Sequence, residues 1–127
     1  MEKDFLLKII NKLEILKSQC KPTDIWQSYL DNDDENGVFF TPDGINSVSN
    51  VLDNFIQTLI DMDGSFDENL IEDLIHKLII EINSISHKYE GMIETNEREE
   101  LVDFILTILD IIKYDYNGDI TARWREW

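Results

Sequence analysis

Residues 70–85 read Leu70-Ile71-Glu72-Asp73-Leu74-Ile75-His76-Lys77-Leu78-Ile79-Ile80-Glu81-Ile82-Asn83-Ser84-Ile85. Leu70, Ile71, Leu74, Ile75, Leu78, Ile79, Ile82 and Ile85 recur at steps of three and four, the period of a helix face and not the alternation of a strand. The band is wider than a helix on the outside of a fold requires, so it predicts a central helix acting as the spine of an all-α protein. Ser65 followed by Glu68 has the form of a capping box that opens this helix.

The same period extends outward on both sides. Upstream, Thr41-Pro42-Asp43 supplies a cap, a first-turn proline and an anion for a helix whose stripe is Ile45, Val48, Leu52, Phe55, Ile56 and Leu59, closed by Asp61-Met62-Asp63-Gly64. Downstream, Glu90-Gly91-Met92 turns the chain and Thr95 or Asn96 caps a helix carrying Leu101, Val102, Ile105, Leu106, Ile108, Leu109 and Ile112. Asn117-Gly118 ends it, and the tail from Asp119 to Trp127 has room for one more helical turn. At the start, Leu6, Ile9, Ile10, Leu13 and Leu16 mark an amphipathic helix over about residues 4–20. Lys21-Pro22 stops it, and Thr23 or Asp24 caps a short second helix with Ile25, Trp26, Tyr29 and Leu30. The run Asp31-Asn32-Asp33-Asp34-Glu35-Asn36-Gly37 has no apolar residue and reads as an exposed acidic loop, after which Val38, Phe39 and Phe40 are expected to re-enter the core. The expected fold is all-α: a single-domain bundle of about five helices over residues 1–127, with the acidic loop after the short second helix.

Charge is distributed unevenly over this framework. The formal net charge is −16, and between Lys21 and Lys77 thirteen carboxylates occur with no lysine or arginine. Such crowding opposes a compact state and suits a basic partner. The lysines at 3, 8, 12 and 17 lie mostly off the apolar face of the first helix and read as a solvated exterior. Repulsion from phosphates and anionic headgroups argues against nucleic-acid and membrane partners. No apolar run approaches the ~18 residues a membrane span needs, and the charged N-terminus does not resemble a signal peptide. A cytoplasmic setting is therefore expected. Cys20 is the sole cysteine, which precludes an intrachain disulfide, and its place at a helix end suggests a small buried residue.

No catalytic constellation emerges. A glycine-flanked serine elbow and a Gly-rich phosphate loop are both missing from the sequence. His76 and His87 are eleven residues apart on one helix, about 16 Å, too far to share a metal. Three loops match the calcium-binding EF-hand in part. Asn32, Asp34 and Asn36 precede Gly37 but lack the closing glutamate; Asp61, Asp63, Ser65 and Glu72 have Phe66 where glycine belongs; Asp115, Asn117, Asp119 and Glu126 have Ile120 there. Neither a metal nor another cofactor is expected.

Large aromatics among acids are what protein interfaces use as anchors. Trp26, Tyr29 and Trp127 are accordingly candidate partner contacts, with Asp31, Asp33, Asp34, Glu35, Asp61, Asp63, Asp67, Glu68, Glu72 and Asp73 as the acidic surround. With its acidic stretch from Asp24 to Asp73 and its closing Trp124-Arg125-Glu126-Trp127, the chain resembles the immunity proteins of bacterial toxin–immunity systems, including those of contact-dependent inhibition and polymorphic toxins. That resemblance implies a non-catalytic inhibitor of a basic toxin domain, most naturally a nuclease. A DNA-mimic anti-restriction protein and a helical adaptor whose acidity serves solubility are the alternatives.

Overall fold

A computed structural model describes residues 2–127 as a helical bundle, without β-strands among them. Four long helices, α1 (Lys3–Gln19), α3 (Pro42–Asp61), α4 (Glu68–Lys88) and α5 (Thr95–Ile111), are joined by the ten-residue α2 (Pro22–Asp31) and by 3-10 turns at Glu35–Gly37 and Ile120–Arg123.

The centre of the bundle is α3, not the 70–85 helix that the breadth of its apolar band suggested. It packs on α1, α2 and α4, whereas α4 rests mainly on α3 and on the turn at Ile120–Arg123. Ile71, Ile75, Leu78, Ile79 and Ile82 are buried on α4, each such burial stabilising by about 1.5–3 kcal/mol. Leu70 faces outward and Leu74 and Ile85 are half-buried, so the band is narrower than its composition implied.

Three helix starts differ from expectation, and at each a carboxylate, not the nearby hydroxyl, accepts a backbone N–H. Asp67 rather than Ser65 caps α4, accepting from the Asn69 and Leu70 N–H groups. At α5 the cap is Glu94, whose N–H donates to Glu97. Pro22 begins α2 instead of merely ending α1, with Asp24 accepting from the Lys21 N–H at 3.1 Å. The expected Thr41 cap is present, accepting from the Gly44 N–H.

Gly44 lets the α4–α5 connection press onto α3, since a Cβ there would lie 2.7 Å from the Met92 Sδ. Lys21 is largely buried and donates from Nζ to Asp53 at 2.6 Å and to Ser49 at 2.8 Å, an internal counter-charge for one acid of the lysine-free stretch. Lys17 also turns inward, to Gln57, so the lysines of the first helix are not uniformly solvated. Cys20 is exposed, contrary to the buried role expected of it. No helix among the described residues is long and apolar enough to cross a membrane.

Candidate functional site

The thirteen carboxylates of the lysine-free stretch do not form one surface. α3 is 20 residues long, about 30 Å, and carries an acidic group at each end. The first, here called the tip, holds Asp31, Asp33, Asp34, Glu35 and Asp43; the second holds Asp61, Asp63, Asp67, Glu68, Glu72 and Asp73.

The tip is built from short-range bonds. The Asp34 N–H donates to the Tyr29 carbonyl at 2.9 Å and the Asp34 carboxylate accepts from the Asn36 N–H at 2.8 Å, which folds Glu35–Gly37 into its 3-10 turn. Asp33 sits at φ 52°, a left-handed position that aspartate tolerates better than most residues. Gly37 is pressed against the α2 backbone, where a Cβ would stand 3.1 Å from the Tyr29 carbonyl carbon. Below it, Phe40 stacks on Trp26 at 5.3 Å and on Tyr29 at 6.5 Å between ring centroids. The acidic loop therefore stands on a rigid aromatic base.

Above that base two apolar side chains project. Val38 is 70 % exposed and Phe39 is 68 % exposed, so of the three residues expected to re-enter the core only Phe40 does. The Phe39 ring lies over Gly91, whose φ of 83° and missing side chain leave room for it. Beside Val38, a shallow recess of about 260 Å³ opens between Tyr29, Leu30, Asp33, Asp34 and Glu35. Among the described residues, none of Asp31, Asp33, Asp34 and Glu35 has a lysine or arginine within 4.0 Å.

At the opposite end three of the six acids are engaged by the fold, one of them by a cation. Asp67 caps α4, Asp61 accepts from Gln57 at 2.9 Å, and Glu72 meets Arg123 at 2.7 Å. Tyr114 lies nearby; burial, followed by the Glu72 and Glu68 carboxylates, raises its phenol above the ordinary value. Arg123 reaches Glu72 because the tail folds back along α4. The buried Asn83 amide donates to the Trp124 carbonyl at 2.9 Å, and its oxygen accepts from the Glu126 N–H at 2.9 Å. His76 stacks on Trp124 at 4.7 Å and His87 lies 3.1 Å from Glu126, so both histidines hold the tail.

The sequence-derived partner residues thus divide three ways. Trp26 and Trp127 are buried, Trp26 completely, and neither presents a surface to a partner; Tyr29 is half-buried beneath the acidic loop. Asp31, Asp33, Asp34 and Glu35 are exposed together at the tip. Asp61, Asp63, Asp67, Glu68 and Asp73 are exposed, and Glu72 partly so, but they belong to the far end and do not share a surface with the first group. Val38 and Phe39 were missed as surface residues. The available signal was their position between an acidic run and Thr41-Pro42, where no helical period directs a side chain inward. Among the described residues, no three His, Cys, Asp or Glu side chains are grouped in a way that would hold a metal ion. No protein-family model, curated protein or solved structure matches the chain.

Proposed function

We propose that this is a non-catalytic, cytoplasmic inhibitor of the immunity-protein kind, which binds a basic toxin domain through the tip. The observation that supports it is the juxtaposition of four carboxylates without cationic partners and the exposed Val38–Phe39 pair on a rigid base. Unneutralised carboxylates accelerate encounter with a cationic surface, and a large apolar side chain then slows dissociation. The recess between Asp33, Asp34 and Glu35 suits an arginine or lysine side chain. A nuclease toxin is the favoured partner class, because a cleft that attracts phosphates is itself basic. Separation of the acids into two groups about 30 Å apart favours a protein partner over DNA mimicry, which needs a continuous acidic stripe.

Affinity capture from the cells that make the protein tests this reading, run at about 50 mM and about 500 mM salt. A basic protein should be retained, more weakly at high salt, and should be toxic when expressed without its inhibitor. The variant Asp31→Asn, Asp33→Asn, Asp34→Asn, Glu35→Gln should lose it. Capture of no basic protein, or capture indifferent to those four substitutions, overturns the reading.

A further inference from the structure

A second part of the surface answers the tip in both charge and polarity. Where α1 meets α5, Phe5, Ile9 and Ile111 contribute apolar lining to a groove of about 300 Å³, together with Lys8, Lys12 and Lys113. Phe5, Lys8, Ile9 and Lys12 follow the i, i+3, i+4, i+7 spacing of one helix face, and Phe5 is 41 % exposed. Lys113 stands in the left-handed turn just beyond α5, at φ 63°. Among the described residues none of these three lysines has a carboxylate within 4.0 Å. The carboxylate in the groove, Asp110, accepts instead from the Tyr116 hydroxyl at 2.8 Å. In a chain with 27 acids and 11 lysines and arginines, this groove locally inverts the overall charge.

We propose that the groove receives the tip of a second copy of this chain, so that copies associate head to tail. Val38 and Phe39 of one copy lie on the apolar lining of the next, while its Asp31–Glu35 run faces Lys8, Lys12 and Lys113. One molecule does not fill its own groove: the tip contacts Gly91 just before α5, the groove lies at the end of α5, and 17 helical residues separate them by about 25 Å. The contact is heterologous, so each added copy leaves one free tip and one free groove and the assembly extends or closes as a ring. The net charge of −16 opposes this over long range. At about 0.15 M salt, however, charges more than about 8 Å apart are largely screened, and close complementary groups are screened less.

Sedimentation of the full chain at about 150 mM salt, from about 10 μM to about 1 mM protein, tests the proposal. The average mass should rise with concentration above that of one chain. A tip variant (Val38→Ser, Phe39→Asp) and a groove variant (Lys8→Glu, Lys12→Glu) should each remain single chains, and an equimolar mixture should form a dimer that grows no further. Circular dichroism identifies a variant that has lost its fold; Phe39→Ala or Lys12→Gln then takes its place. A wild-type protein that stays a single chain at about 1 mM overturns the proposal, as does a variant that associates like wild type or a mixture that does not pair. The first of these outcomes leaves the basic-partner reading standing, because that reading needs a tip and no groove.

Discussion

The two ends of α3 are alike in composition and opposite in use. Each has an acid-rich turn, with Gly37 at one and Gly64 at the other, and each has an aspartate at positive φ, Asp33 and Asp63. At the far end three of the six carboxylates serve the fold: one caps a helix, one accepts from a glutamine, and one meets an arginine 51 residues away in sequence. At the tip two acids make short-range hydrogen bonds, Asp31 with Gln27 and Asp34 with the Asn36 N–H, and the group has no cation. What separates the ends is the returning tail, which brings Arg123 to one and nothing to the other. Acidic composition is therefore insufficient to mark a binding surface; what distinguishes the tip, among the described residues, is a set of acids without a cation beside an exposed apolar pair, Val38 and Phe39.

The largest expected effect comes from the aromatic base of the tip. Trp26→Ala removes a completely buried ring stacked on Phe40 and should cost about 3–5 kcal/mol of unfolding free energy in a denaturant titration. A loss below about 1 kcal/mol would mean that the tip stands on something other than this stack.

Next in size, Asn83→Ala strips the tail of its buried amide and should cost about 2 kcal/mol, with faster hydrogen exchange at Trp124–Trp127 and none of that acceleration at Glu35–Phe40. Equal acceleration at both ends would erase the distinction between them.

Arg123→Ala tests the neutralising contact itself. Because Arg123 is exposed and Glu72 partly so, the loss should be about 0–1 kcal/mol and should shrink with added salt.

The smallest effect belongs to Glu100, half-buried on α5. Its carboxyl is raised above its ordinary value by burial first and by Glu97 second. The folded chain then holds that proton more readily than the unfolded chain, so stability is gained as pH falls through the interval between the ordinary and raised values and lost as pH rises through it. Glu100→Gln should remove that slope and stabilise the protein above the carboxylate range by no more than about 0.5 kcal/mol. Destabilisation at neutral pH would show that the charged form is favoured there.

The helices were legible because their apolar periods are long: Ile45 to Leu59 and Ile71 to Ile82 are buried as their spacing requires. Rank within the bundle was not, since the breadth of a band reports apolar content and not which neighbours cover it. The caps at Asp67, Glu94 and Lys21 were misplaced because several polar residues stand within reach of each start, and orientation of the entering chain selects among them. The acidic half of the site was legible as composition. Its apolar half was not, because Val38, Phe39 and Phe40 are consecutive in a loop, and which of them turns inward depends on Trp26 and Gly91, 14 and 52 residues from Phe40 and Phe39. Lys8 and Lys12 are exposed as their spacing implied, but the neighbour that makes them a cationic groove, Lys113, comes from the turn beyond α5 and was not legible.

The most direct measurement sets the two ends against each other with the basic partner recovered by capture. A tip variant (Asp31→Asn, Asp33→Asn, Asp34→Asn, Glu35→Gln) and a far-end variant (Asp61→Asn, Asp63→Asn, Glu68→Gln, Asp73→Asn) each remove four charges and spare the α4 cap at Asp67. Stopped-flow association at about 50 mM salt should be at least about tenfold slower for the tip variant and within about twofold of wild type for the far-end variant. Equal slowing of the two, or a larger effect at the far end, would contradict the claim that the tip is the surface left free for a partner.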